Sequence, residues 1–431
     1  MTTTKAAVDA YVEKNFPWNF TVNVIDITFI SLAMSLISRE TIMPLMVSQL
    51  TDSKIAIGLI PAIHSLCFYL PQLFMANHAE SLPYKKPFVA LIGGVMERGP
   101  YLLMGLAMWA FAIQSPNFAL IAFFLLLACA SLGGGIGTPA WLTLVGKVLP
   151  VNRRGLFFGI SGALGALMGI VGAHFVGQIL DTVPYPENFT WLFIIAFFFC
   201  VLSWVGLVLN REPESLVVKE QVPLITYFRQ LPNVLRGNRN FSRFLITYGI
   251  AKLGAMAVGF FLVFGSSSYN LSGAQVGTLT AILIGSGGVT NVLWGWVGDR
   301  AGHKIVLVVC TFLLALAALI AWTSTSETSL IITFILLGAS LSGDIISRFS
   351  IVLEFSVPED QPTYIGLANT LLAPIVGLGP VFAGWLATVL DYRSLFLISA
   401  VLSLIGGAAL MIWVREPRKV TPVAISSNST T

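Results

Sequence analysis

The stretch Gly295-Trp296-Val297-Gly298-Asp299-Arg300-Ala301-Gly302-His303-Lys304 is a short charged turn between two long apolar runs, 275–297 and 304–325. A bilayer's hydrocarbon core takes about 20 apolar residues of helix to cross, and both runs meet that length. The glycines suit a tight turn, and Asp299, Arg300 and Lys304 belong in water at a membrane face.

The rest of the chain repeats this plan. Apolar runs of spanning length lie at 22–47, 55–77, 87–113, 118–148, 155–180, 190–209, 242–264, 275–297, 304–325, 328–353, 363–390 and 393–414. Hydrophobic residues make up 56% of the chain and charged residues 10%, and the mean hydropathy is +0.84, far from the range of water-soluble domains. The runs are continuous, not the short alternating segments of a β-barrel, so each backbone amide must be satisfied within a helix. Cys67, Cys129, Cys200 and Cys310 lie inside apolar runs without paired spacing or a histidine cluster. That argues against disulfide frameworks and zinc sites, and no metal or cofactor is expected. Met1 to Asn19 is polar, with Lys5, Asp9, Glu13 and Lys14, so no cleaved leader is expected.

Basic residues orient the chain. With a cytoplasmic amino terminus, eighteen of them fall on the cytoplasmic side and two, Lys54 and Arg393, on the other. This bias predicts an integral multi-pass protein of the cell (inner) membrane with both termini cytoplasmic. The loop 353–362 is an acidic exception, with Glu354, Glu359 and Asp360.

The longest interruption sets the domain plan: a cytoplasmic segment 1–21, a six-helix half 22–209, a cytoplasmic linker 210–241, a second six-helix half 242–414 and a tail 415–431. In the linker region Arg229, Arg236, Arg239 and Arg243 interleave with Leu231, Val234, Leu235 and Phe241. That pattern suits a helix lying on the membrane surface, or equally a solvated linker with basic anchors. Arg211-Glu212-Pro213 after the sixth run returns as Arg415-Glu416-Pro417 after the twelfth, and Pro150 with Gly159 returns as Pro358 with Gly366. The fold class is an all-α membrane protein, twelve transmembrane helices in two pseudo-symmetric six-helix halves.

At 295–304, and in this duplicated plan, the sequence resembles the major facilitator superfamily, whose cytoplasmic loop reads G-x-x-x-D-R-x-G-R-[KR]; the chain departs from it at His303. The matching first-half loop, Glu80-Ser81-Leu82-Pro83-Tyr84-Lys85-Lys86, keeps an acid followed by bases but lacks the glycines. The resemblance implies that these loops are cytoplasmic latches. Glu80, in the same gate as Lys85, would then face Lys147, Arg153 and Arg154, while Arg300 and Lys304, beside Asp299, would meet Glu354. Exposed pairs of this kind contribute about 0.2–1 kcal/mol each and can exchange between states; fixing topology is their alternative role. The fifth run carries Gly155, Gly159, Gly162, Gly165, Gly169, Gly172 and Gly177, a surface expected to pack closely.

Eight acidic or basic residues lie within the runs away from their ends and loops: Asp26, Arg39, Glu40, Glu97, Arg98, Lys252, Asp344 and Arg348. A charge at mid-bilayer costs about 2.5–3.5 kcal/mol on insertion scales, so each marks either function or mutual neutralisation. Glu97 and Arg98 are expected to form a structural pair, and Asp26 to reach water. Asp344 and Arg348, four apart, share a helix face. His64 lies about as far beyond the 48–54 turn as Glu40 lies before it, which makes a Glu40–His64 proton relay a candidate. In the fold of the resembled family, spans 1, 4, 7 and 10 line a central cavity. On that ground Arg39, Glu40, Lys252, Asp344 and Arg348, together with His64, are the candidates for solute or proton binding.

The function read from these residues is secondary active transport of a small solute by alternating access, with a proton as the candidate coupling ion. A non-transporting receptor or scaffold on the same fold is the alternative. No nucleophile elbow, metal-ligand cluster or phosphate loop appears, so no enzyme activity is expected. The expected partners are the solute and the lipid bilayer, without nucleic acid, for a monomeric protein.

Overall fold

The computed structural model describes residues 5–215, 235–356 and 361–419, and among these all regular structure is helical. The helices are α1 (Lys5–Leu36), α2 (Ile42–Leu50), α3 (Lys54–Ser81), α4 (86–111), α5 (Pro116–Val148), α6 (Arg154–Thr182), α7 (Glu187–Val208), α8 (Arg239–Tyr269), α9 (Gly273–Ala301), α10 (His303–Trp322), α11 (Glu327–Glu354), α12 (Gln361–Val389) and α13 (Tyr392–Trp413). Among the described residues, eleven helices are long and apolar enough to cross a membrane. The remaining apolar run, α4, is helical throughout but changes winding, from Lys86–Ile92 through a π-helical turn at Gly93–Arg98 to Gly99–Phe111. Pro100 has no N–H to return to the preceding turn, and Gly99 N–H reaches back to Gly94 O, the wider π spacing. Residues 222–234 of the expected surface segment lie outside the described residues, as do Glu359, Asp360 and the side chain of Glu80.

The chain forms two compact units. The first comprises Met1–Asp52, Ile63–Val222 and Leu271–Ala281, the second Ser53–Ala62, Pro223–Asn270 and Ile282–Thr431. The first unit thus includes the opening turns of α9, and the second those of α3. Small residues make both inclusions possible. In the first unit a Cβ at Gly277 would stand 2.6 Å from Ala173 O, and one at Gly273 2.7 Å from Asp181 N. The Asp181 carboxylate there accepts the N–H groups of Gly273 (2.6 Å) and Ala274 (2.8 Å), satisfying orphan donors at the start of α9. In the second unit Gly58 abuts the Pro380 carbonyl, and a Cβ at Gly384 would stand 2.7 Å from Ile55 Cα. Lys54 donates to Ala387 O (2.6 Å) and lies 4.4 Å from the Tyr392 ring centroid.

The repeated Arg-Glu-Pro tripeptide has the same job in each unit. Asn19 exchanges hydrogen bonds with the backbone of Arg211 (2.8 and 3.1 Å), and Asn240 with that of Arg415 (2.9 and 2.9 Å). Glu212 then accepts Lys85 N–H and Lys86 N–H, each at 2.8 Å, at the start of α4. Glu416 stands against Gly302 at the start of α10; a Cβ there would lie 2.5 Å from its Oε1, and φ is +95°. Only glycine takes that conformation and that space without strain. Of the glycines of α6, Gly165 and Gly172 do press on Ser31 and Ser35 of α1, whereas Gly155, Gly159 and Gly162 have nothing within 4 Å of a built Cβ. The close-packing expectation therefore holds for one part of that helix and not the other.

Candidate functional site

The first apolar run is broken. α1 stops at Leu36 and α2 begins at Ile42, although no glycine or proline lies between. Ser38 makes the break: its carbonyl accepts Ile42 N–H and Met43 N–H at 2.9 Å each, and its hydroxyl donates to Glu40 Oε2 at 3.2 Å. Leu36, Ile37, Ile42 and Met43 are buried, so the turn that carries Arg39 and Glu40 lies in the interior of the first unit. Non-helical backbone inside a membrane protein is tolerated where its groups are satisfied by protein or line a cavity.

The expected closeness of Glu40 and His64 is corrected by this turn. Glu40 engages Ser38, and Arg39 instead meets His64, 2.8 Å from Nδ1 and also in contact with Nε2. A guanidinium only donates, so the imidazole meets it through one acceptor nitrogen. Ser131 Oγ of α5 is 3.2 Å from His64 Nδ1, and Phe68 stacks on the imidazole with centroids 5.2 Å apart. Counting residues from a turn sets depth; it does not set direction once the helix unwinds.

Asp26, expected to reach water, is 3% exposed. Its Oδ1 accepts from Arg98 Nη2 at 3.2 Å and from Ser203 Oγ at 2.5 Å, and its Oδ2 from Trp141 Nε1 at 3.4 Å. Arg98 also donates to Glu97 Oε2 at 2.8 Å and, through the widened π turn, to Gly93 O at 3.1 Å. Glu97 and Arg98 are thus joined, with Asp26 as a third charged member drawn from α1. Glycine lets α5 close on this cluster. A Cβ at Gly133 would stand 2.5 Å from Glu97 N, one at Gly134 3.2 Å from the Phe68 ring, and one at Gly135 would strike Phe68 O.

In the second unit Lys252 Nζ of α8 lies 2.5 Å from Asp344 Oδ2 of α11, and Tyr248 Oη donates to Asp344 Oδ1 at 2.7 Å. Arg348, which shares a face with Asp344, adds positive charge to the same neighbourhood and lies 5.6 Å from the Phe349 ring centroid. A cavity of about 20 Å³ borders the pair, lined also by Ala251, Cys310, Thr311 and Ser340, enough for a single water.

At the polar ends the expected partners differ. Glu354 is bound by Arg418 at 2.6 Å, not by Arg300 or Lys304; Arg418 also donates to Asp299 O at 2.7 Å. Lys304 donates to Met411 O at 2.8 Å, and Arg300 lies over the Trp296 ring at 4.3 Å. The tail that carries Arg418 simply reaches Glu354 first. In the first unit Lys147 bonds Glu212 at 2.7 Å. Lys85 donates to Leu82 O, Arg154 to Leu149 O and Gly146 O, and Arg153 is exposed. Sequence reasoning missed Ser38, Ser131, Ser203, Tyr248, Glu212 and Arg418 as partners. The repeated tripeptide was the one signal that pointed to any of them.

A profile of the Major Facilitator Superfamily matches residues 28–265 and 244–429. Among curated proteins, an uncharacterised MFS-type transporter of Methanocaldococcus jannaschii is 23% identical over 288 residues, 63% of this chain and 69% of that protein. Citrate exporter 1 of Aspergillus niger is 29% identical over 162 residues, 37% of this chain but only 30% of the exporter. Among solved structures, the nucleoside transporter NupG superposes with a TM-score of 0.70 at 14% identity, covering 92% of this chain and 100% of that one. A D-xylose-proton symporter gives 0.69 at 12% identity, covering 94% and 99%. At these identities the structures speak for the fold alone.

Proposed function

The chain belongs to the major facilitator superfamily, and we propose that it is a proton-coupled secondary carrier that moves a small solute across the cell membrane by alternating access, as a monomer with both termini in the cytoplasm. The observation that carries this reading is the Lys252–Asp344 pair, joined at 2.5 Å beside a water-sized cavity. Charged groups inside spans are costly and persist where they serve a pathway. A carboxylate beside an ammonium keeps its charge, and one left alone in apolar surroundings takes up a proton. Alternation between those two settings gives uptake on one side and release on the other. Glu40, in the break of the first span, is the second candidate acid. Arg39, His64 and Arg348 are candidates for solute contact. The Glu354–Arg418 and Lys147–Glu212 pairs are the candidate latches.

Flux in proteoliposomes tests this. Citrate is the first solute, given the 29% identity with the exporter over 162 residues; D-xylose and a nucleoside follow. Asp344→Asn is expected to abolish accumulation driven by a pH gradient while sparing counterflow exchange, which needs no net coupling. Counterflow absent from the wild type with every solute removes the carrier reading, and accumulation retained in Asp344→Asn shifts the coupling role to Glu40. For orientation, cysteines at the exposed positions Asn117 and Ser326 should label from outside intact cells, and one at exposed Gly237 should not.

A further inference from the structure

Arg39 is a guanidinium in the buried turn of a broken span, and its sole hydrogen-bond partner among the described residues is the imidazole of His64. Among the described residues no carboxylate oxygen forms an ion pair with it within 4 Å. Asp26 and Glu97 are both committed to Arg98, at 3.2 and 2.8 Å, and Glu97 acts on Arg39 only at longer range. Glu40, its chain neighbour, engages Ser38. Of the other charged residues that the sequence places inside a span, all but Glu40 have a counter-charge close by: Asp26, Glu97 and Arg98 hold one another, and Lys252, Asp344 and Arg348 form one neighbourhood. A basic side chain inside a span that meets an imidazole and forms no ion pair is a candidate for binding an anion.

From this geometry we infer that Arg39, with Ser131 and His64, is the subsite that binds the carboxylate of an organic anion, the solute class of the carrier proposed above, on which reading the inference rests. The guanidinium supplies a planar fork of donors that matches a carboxylate's two oxygens. The Ser131 hydroxyl, 3.2 Å from His64 Nδ1, supplies a further donor to the same locality. One positive charge held by no ion pair, with Glu40 turned to Ser38, matches one carboxylate and not a phosphate dianion. Phe68, stacked on His64, offers an aromatic wall to the apolar part of the solute. The imidazole holds the guanidinium in place until the anion arrives and is displaced from it, so the charge is hydrogen-bonded in the empty carrier.

The test uses the purified full chain in detergent and follows its unfolding midpoint. Benzoate is the probe, benzamide its uncharged isostere, and sodium chloride and sodium phosphate the ionic-strength controls. Benzoate is expected to raise the midpoint saturably, and the other three are not. Arg39→Gln should weaken the apparent benzoate affinity at least tenfold and Ser131→Ala about threefold. Equal stabilisation by benzamide, or an unchanged affinity in Arg39→Gln, overturns the assignment. Should Arg39→Gln not fold, Arg39→Lys makes the same comparison: losing the fork should weaken binding threefold or more, and an unchanged affinity again overturns it. The two readings separate in liposomes. Benzoate binding without counterflow of any solute removes the carrier and leaves the anion site, whereas counterflow indifferent to Arg39→Gln removes the anion site and leaves the carrier.

Discussion

Lys252 of α8 and Asp344 of α11 are joined at 2.5 Å, and this bond ties together residues that lie 92 positions apart in sequence. The pair is not alone, because Tyr248, one helical turn before Lys252, gives its hydroxyl to the other carboxylate oxygen. Each carboxylate oxygen of Asp344 thereby accepts a hydrogen bond. That is what lets a full negative charge sit among apolar residues such as Ala251 and Leu314.

Removing one member of such a pair leaves the other charge buried and unpaired, at a cost of about 3–5 kcal/mol. Lys252→Met and Asp344→Leu should each lower the unfolding midpoint markedly, and the double variant should be closer to wild type than either. A double variant as unstable as the two single effects added together would show that the residues do not interact. Calorimetry or fluorescence-monitored melting in one detergent gives all three numbers.

The spans were legible because hydropathy is a local property, and so was the duplication, because Arg211-Glu212-Pro213 and Arg415-Glu416-Pro417 are identical strings. Partnerships were less so. Asp26 reads as water-facing by its place near a run's end, yet Arg98 and Ser203 enclose it; that depends on which faces of α1, α4 and α7 meet, which no single run encodes. The break at 37–41 was invisible for a different reason: it has neither glycine nor proline and depends on Ser38 satisfying the turn's own backbone. Glu354 was expected to meet Arg300 or Lys304 by chain proximity to their loop, and a tail residue, Arg418, outcompeted both.

Glycine positions give a steric prediction with an internal control. A side chain at Gly135 of α5 would strike the Phe68 carbonyl of α3, whereas one at Gly162 of α6 meets nothing within 4 Å. Gly135→Val should destabilise by about 1–3 kcal/mol or prevent folding, as overpacking does, and Gly162→Val should be near neutral. Equal melting midpoints for the two variants would mean that α5 does not approach α3 as described.

The Glu354–Arg418 pair is half in water, with 36% of the Arg418 side chain exposed, so its own contribution to stability is small, about 0.2–1 kcal/mol. Arg418→Gln should shift the melting midpoint by no more than 2 °C or so while changing flux, if the pair is a latch. Lys304→Gln, which removes a bond to Met411 O and not to an acid, serves as the comparison. Identical flux in wild type and Arg418→Gln would reduce the pair to a surface contact.

Asp391 precedes α13 as its N-cap, and its side chain accepts Ser394 N–H at 2.6 Å. That backbone bond, reinforced by Ser394's side chain, holds the carboxyl below the usual carboxylate range. Loss of such a cap costs about 0.5–2 kcal/mol, so Asp391→Ala should lower the melting midpoint at neutral pH. The pH dependence has a definite sign. A carboxylate whose folded pKa lies below its unfolded value of about 3.9 contributes fully above that value and loses the contribution as pH falls through the folded one. The gap between wild type and Asp391→Ala should therefore be widest near neutrality and close in acid. Asp391→Asn caps about as well without titrating, so its gap to Asp391→Ala should stay level across the same range. Melting curves of the three proteins from pH 7 to pH 3 decide the matter: a wild-type gap that does not narrow would mean that the ionised carboxylate is not what caps α13.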